Sequence, residues 1–128
     1  MTLILDSGGV SALAGDVSRL RVFRDRGHWP PQIPAVVLAE ALTGDHRRDF
    51  HENQLIRMSQ VRAVTESLSR DAARLRSRTR RAATISATDA IVAALAVSTA
   101  DSIVLTSDPH DLGALLADDA RRVTVVRV

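Results

Sequence analysis

The sequence predicts an α/β fold built on a parallel sheet with helices over both faces. Short apolar stretches of strand length alternate with longer stretches of helical periodicity along all 128 residues. Two of the strands, Leu3-Ile4-Leu5 and Ser102-Ile103-Val104-Leu105-Thr106, are of the buried type, and each runs into a carboxylate beside a hydroxyl: Asp6-Ser7 and Ser107-Asp108. No internal repeat or low-complexity linker divides the chain, so one domain over residues 1–128 is expected.

Thr2 to Asp6 reads as the first buried strand. Ser7-Gly8-Gly9 then allows a tight turn and close backbone approach. Val10 to Gly15 fits a short helix. Asp16 or Ser18 can start the next, with Val17, Leu20, Val22 and Phe23 on its apolar face and Gly27 as its stop. Pro30, Pro31 and Pro34 bracket a very short strand, and prolines belong at the start of a strand or at a sheet edge. Ala35 to Leu42 reads as a buried helix closed by Gly44, with Glu40 in its midst. Asp45 to Met58 reads as an amphipathic helix anchored by Phe50, Leu55, Ile56 and Met58. Val61 to Val64 is a short strand. A helix from Thr65-Glu66 to about Arg81 buries Leu68, Ala72 and Leu75. Ser86 to about Thr99 is a nearly all-apolar helix with Asp89 in its first turn. After the strand ending at Asp108 come a helix from Pro109 to about Leu116 and a closing strand from Val123 to Val128.

Composition narrows the chemistry. At 45% apolar the chain can bury a real core. It has no cysteine, which excludes disulfides and thiolate metal sites. Every basic side chain apart from histidine is Arg, so the pI of 10.8 reflects missing Lys, Tyr and Cys rather than a strong field; net charge is only +2. Without Lys there is no Schiff-base or Walker-type phosphate chemistry. Asp6 interrupts the first apolar run, so no signal peptide reads there, and no run approaches the roughly 20 apolar residues of a membrane span. A soluble, cytoplasmic protein with no membrane partner is expected.

Asp6, Glu40, Asp89 and Asp108 each interrupt or end an apolar segment. Three have ordinary local uses. Asp6 suits a turn before glycines, Asp89 a capping box with Ser86, and Asp108 a helix N-cap ahead of Pro109. Glu40 has none: on a buried helix its charge needs a partner or a metal, and Val36, Val37, Thr43 and Gly44 one turn away offer no cation. Topology joins the four. Ligands of open parallel sheets bind beyond the carboxyl ends of strands where the strand order reverses. The first strand and the Ser102–Thr106 strand are natural neighbours at such a reversal, which would set Asp6 beside Asp108. The helices bearing Glu40 and Asp89 can start at the same rim. Clustered carboxylates repel and need a cation. All-oxygen ligation with no Cys and no paired His suits Mg²⁺ or Mn²⁺ rather than zinc. Such a site can polarise a phosphoryl group and activate water.

On these residues the chain resembles the PIN-domain ribonucleases. The resemblance is carried by Leu5-Asp6-Ser7, Val36-Val37-Leu38-Ala39-Glu40, Ala87-Thr88-Asp89-Ala90-Ile91-Val92-Ala93-Ala94 and Leu105-Thr106-Ser107-Asp108. Length and motif spacing look most like the VapC toxins of toxin–antitoxin pairs. The resemblance implies a three-layer α/β/α domain with a five-stranded parallel sheet in order 3-2-1-4-5. It implies a Mg²⁺ or Mn²⁺ site of Asp6, Glu40, Asp89 and Asp108, supported by the hydroxyls of Ser7 and Thr106. It implies an endoribonuclease that cuts RNA with metal-activated water, forms a homodimer and is silenced by a cognate antitoxin protein. Gly8-Gly9 departs from the small hydroxyl or aliphatic residues more usual after the first acid, which bears on the turn there and on the level of activity.

Further residues extend the reading. Asp111 is an auxiliary acid near the rim. The cluster Arg74, Arg78, Arg80 and Arg81 could track an RNA backbone, or form a solvated helix face like the Glu66–Arg70 pair. With almost no aromatics, base stacking cannot carry much recognition. A receiver-type phosphorylation domain would need a Lys, which is absent. A haloacid-dehalogenase-like phosphatase would need an acid where Gly8 stands. The remaining rival is a PIN-like module that binds RNA or an antitoxin-type partner without cutting.

Overall fold

The computed structural model describes residues 1–128. Its strands are β1 (Thr2–Leu5), β2 (Gln32–Pro34), β3 (Gln60–Arg62), β4 (Ser102–Thr106) and β5 (Val123–Arg127). They form one five-stranded sheet in the order β3-β2-β1-β4-β5, parallel throughout. The order reverses between β1 and β4, which pair in register from Thr2–Ser102 to Leu5–Leu105. Leu3, Ile4 and Leu5 are fully buried, and so is nearly all of β4, as expected for central strands covered on both faces.

The helices are α1 (Ser7–Leu13), α2 (Val17–Asp25), α3 (Ala35–Ala41), α4 (Phe50–Arg57), α5 (Glu66–Ser77), α6 (Ala87–Ser98) and α7 (Pro109–Leu115). One group packs around α1, which touches α2, α3 and α4; the other packs around α6, which touches α5 and α7. A single cluster of 24 buried apolar residues joins both groups to the sheet. Each fully buried Leu, Ile or Val in it contributes about 1.5–3 kcal/mol.

Several elements depart from the sequence-based expectation. Ser7-Gly8-Gly9 is the first turn of α1 rather than a separate turn, because the Asp6 carboxylate accepts the Gly9 N–H at 2.7 Å and caps the helix. The glycines do serve close approach. A Cβ on Gly9 would lie 2.4 Å from the Leu105 carbonyl oxygen, and one on Gly8 would lie 2.8 Å from the Ser107 nitrogen. β2 is an interior strand, and its proline occupies only the last position, where the chain turns directly into α3. Helix α3 is not buried: only Val37 is enclosed, and Glu40 is exposed. α4 starts at Phe50, and Phe50 and Met58 face solvent instead of anchoring it. α5 ends at Ser77, so Arg78, Arg80 and Arg81 lie on the following turns rather than along its face. Leu68 is half-buried rather than enclosed.

Asp49 explains the late start of α4. Its buried carboxylate accepts the Thr43 N–H (2.9 and 3.0 Å), the Thr43 hydroxyl (2.9 Å) and the Gly44 N–H (2.9 Å), tying the α3–α4 loop shut. These donors, the Thr43 amide foremost, hold its pKa below the ordinary 3.8. A carboxylate whose folded pKa is depressed stabilises the fold above the unfolded pKa, and that contribution fades as pH falls through the folded value. Asp49→Ala is therefore expected to lower the melting temperature at pH 7 but much less near pH 3. Equal losses at both pH values would show that the charge is not what closes the loop.

Candidate metal centre

The carboxyl ends of β1 and β4 lie side by side, and three helix starts meet them. Asp6 ends β1 and caps α1. Asp108 follows β4 and caps α7, accepting the Asp111 N–H at 3.4 Å. Asp89 is the third residue of α6, its N–H donated to the Ser86 hydroxyl at 3.1 Å. For Asp6 and Asp108 the local capping use and the shared rim are both realised, because a residue that caps a helix at the end of a parallel strand already stands at the rim; at Asp89 only the Ser86 half of the expected capping box forms.

Asp89, Asp108 and Asp111 each offer one carboxylate oxygen, and these oxygens lie within 4.8 Å of one another. That span is about twice the 2.0–2.6 Å metal–oxygen bond of Mg²⁺ or Ca²⁺, so one hard cation could touch all three. Asp108 is exposed, whereas Asp89 and Asp111 are half-buried. Asp111 therefore stands closer to the centre than its auxiliary place in the sequence analysis. The signal for it was available: positions 108 and 111 are three apart at a helix start, which puts both side chains on one face.

Asp6 lies outside that group of three and is buried, only 5% exposed. Its second carboxylate oxygen accepts a short hydrogen bond from the Thr106 hydroxyl, and that hydroxyl accepts the Asp108 N–H at 2.9 Å. Thr106, itself fully buried, thereby links the ends of the two central strands. Ser7, the other expected supporting hydroxyl, is half-buried at the first position of α1, and its hydroxyl makes no side-chain hydrogen bond. Glu40 sits nearly two turns into α3, exposed, and reaches the centre through its charge on Asp6. Its exposure removes the burial cost that singled it out in the sequence.

The electrostatics are those of crowded acids. Burial pushes the Asp6 pKa up; its bonds from Thr106 and Gly9 oppose the shift, and the Glu40 charge adds to it. Asp89 is pushed up to about 6, chiefly by burial, with the Ser86 hydroxyl opposing and the charges of Asp6, Asp108 and Asp111 adding. The oxygen-only donor set and this mutual repulsion fit a divalent cation. Asp89, Asp108 and Asp111 can hold such an ion.

Comparison with known proteins finds no family model and no curated protein that matches the chain.

The four arginines expected along an RNA path lie on different turns and have different partners. Arg74 pairs with Asp71, and Arg78 lies 3.9 Å from Asp118. Arg80 makes no ion pair. Arg81 alone reaches the rim, 2.8 Å from Asp111. A groove lies between α5 and α6, where Asp71, Arg74, Leu75, Arg78, Ala94 and Val97 line it. It meets α6 at the end away from Asp89, roughly 12 Å along the axis at 1.5 Å per residue. The groove and the acids are separate features. No helix is long and apolar enough to cross a membrane.

Proposed function

We propose that this protein is a metal-dependent endoribonuclease, a cytoplasmic VapC-type toxin of the PIN-domain kind. The observation that carries the reading is the meeting of Asp89, Asp108 and Asp111 at the reversal point of a 3-2-1-4-5 parallel sheet, with Asp6 bonded through Thr106 beside them. This is the sheet order, and these are the strand ends, that the sequence resemblance calls for. Asp6, Asp89, Asp108 and Asp111 would hold Mg²⁺ or Mn²⁺, with Glu40 adding negative charge at the Asp6 side. When bound, such an ion supplies Lewis acidity and an activated water for attack on an RNA phosphodiester. The chain's own part is to fix the acids. Gly9 and Thr106 hold the Asp6 carboxylate, and the Ser86 and Asp108 caps set the starts of α6 and α7.

A homodimer and a cognate antitoxin belong to the same reading. Exposed Val17, Val22, Phe50, Met58 and Val61 offer apolar surface for such partners.

The deciding test is cleavage of a labelled mixed RNA pool with Mg²⁺ or Mn²⁺ against EDTA, with Asp6→Asn alongside. Cutting is expected only with metal and only in the wild type. Asn caps helices as well as Asp, so Asp6→Asn and Asp108→Asn should stay folded while losing activity, and Asp89→Asn, which leaves the Ser86 cap in place, should do the same. Folded wild-type protein that cuts nothing in either metal would sink the enzyme reading and leave the module that binds without cutting.

A further inference from the structure

Asp89, Asp108 and Asp111 bring three carboxylates together, and the chain sets one cation of its own among them. Arg81 pairs with Asp111, Nη2 to Oδ1 at 2.8 Å. No other Arg or His side chain lies within ion-pair distance of these three acids. The partners come from separate parts of the chain. Asp111 stands in the first turn of α7, and Arg81 on the turns between α5 and α6. The main chain under Arg81 is held: its carbonyl accepts the Thr84 N–H at 2.9 Å and the Ile85 N–H at 3.1 Å, and the Ile85 carbonyl accepts the Arg76 Nε–H at 2.8 Å. The guanidinium is thus delivered to Asp111 from a fixed base.

Two features make this pair exchangeable. The Asp111 side chain is only 14% exposed, whereas that of Arg81 is 40% exposed, so the arginine is the partner more open to water. Its Nη1 is buried with no hydrogen-bond partner, a cost that a fully bonded guanidinium would not carry. The competing ligand has the advantage in charge. Arg81 brings one positive charge to one of the three acids, whereas a divalent cation brings two and can touch all three.

We infer that Arg81 is the resident counter-cation of the acid centre: it holds Asp111 while no metal is bound and yields that carboxylate to an arriving divalent ion. The inference rests on the metal reading and adds to it how uptake is controlled. An ion must compete with an internal charge, so the centre binds more weakly than three free acids would and fills only above a threshold concentration of the ion. Asp111 is the acid at which the exchange takes place.

The experiment titrates metal-free protein with Mn²⁺ and counts the free ion by its EPR signal, with circular dichroism to show that each variant is folded. Arg81→Ala and Arg81→Gln are expected to bind Mn²⁺ about tenfold more tightly than the wild type, since a charge beside a ligand has gone. The glutamine variant keeps most of the side-chain length, so the result does not hang on the alanine variant folding. Arg81→Lys, which keeps the charge, should lie between Arg81→Gln and the wild type. Arg80→Ala removes the same charge one residue away, from an exposed side chain that makes no ion pair, and should change affinity less than about threefold. Asp111→Asn should bind more weakly, and adding Arg81→Gln to it should bring less than about a twofold gain, because the effect of Arg81 runs through Asp111. The inference is overturned if Arg81→Gln tightens binding no more than Arg80→Ala does, or tightens it equally with and without Asp111, since general attraction would then suffice. Weaker Mn²⁺ binding by Arg81→Gln would also overturn it and make Arg81 a prop that positions Asp111. If neither the wild type nor any variant takes up Mn²⁺, the metal reading fails and the inference with it; uptake by the wild type with no gain in Arg81→Gln overturns the inference alone.

Discussion

Gly9→Ala is expected to lower the melting temperature by roughly 4–12 °C, from overpacking that costs about 1–3 kcal/mol in a chain of this size. The added Cβ would stand 2.4 Å from the Leu105 carbonyl oxygen and 3.4 Å from the Leu5 Cβ. The first of these partners is backbone in the middle of the sheet, not the end of a flexible side chain. Strand β4 cannot recede without breaking its register with β1, so α1 must lift instead. Lifting α1 lengthens the Gly9 N–H bond to Asp6 and disturbs the acid that Thr106 ties to β4. Metal binding should therefore weaken together with stability. Gly113→Ala is the matched control. It lies in α7, an added Cβ there meets nothing within 4 Å, and Ala in an open helical position should stabilise by about 0.5–1 kcal/mol. If Gly9→Ala melted with the wild type, the close packing of α1 on β4 would not be what places Asp6. The same contacts bear on the Gly8-Gly9 departure from the family pattern: in this chain the two glycines let the first acid approach the fourth strand.

Asp89→Asn is expected to abolish metal-dependent cleavage and, without metal, to raise the melting temperature at pH 7.5. The reason is the charge it removes. The Asp89 pKa stands near 6 in the fold against an ordinary 3.8, so the folded chain holds a proton that the unfolded chain has released. Stability from this group therefore falls as pH rises from about 4 to about 6 and stays lower above that. Wild type and Asp89→Asn should melt alike near pH 4 and diverge through that window, the variant being the more stable at neutral pH. Adding Mn²⁺ at pH 7.5 should raise the wild-type melting point and leave the variant almost unmoved. For the wild type, the same addition should lose its effect as pH drops below about 6, since the cation must then displace a proton. A variant less stable than the wild type at pH 7.5 would mean that the carboxylate serves its helix cap more than any ion.

Asp6 and Asp108 were legible because they end apolar strands, and strand ends are where a parallel sheet places its ligands. The pairing of β1 with β4 followed from the same pattern. Asp89 was legible as an acid in the first turn of an apolar helix. Glu40 was singled out for a reason that fails. Its helix looked buried by composition, but Val36, Leu38 and Ala39 are half or fully exposed, and apolar residues on a surface helix cannot be told from core residues by hydropathy. Phe50 and Met58 misled for the same reason. The arginine run looked like one path because the helix was read four residues too long; ending α5 at Ser77 turns the last arginine toward Asp111 and leaves the others elsewhere.

By itself the sequence determined the α/β class, the parallel sheet, the two central strands and the acids that end them. These depend on local apolar periodicity and on chain geometry, which one chain records directly. Only the tertiary structure decided that Asp111 stands with Asp89 and Asp108, that Thr106 joins Asp6 to the Asp108 amide, and that Arg81 pairs with Asp111. Each of those depends on distances between segments far apart in the chain, where a displacement of an ångström or two separates a bonded pair from two unrelated side chains.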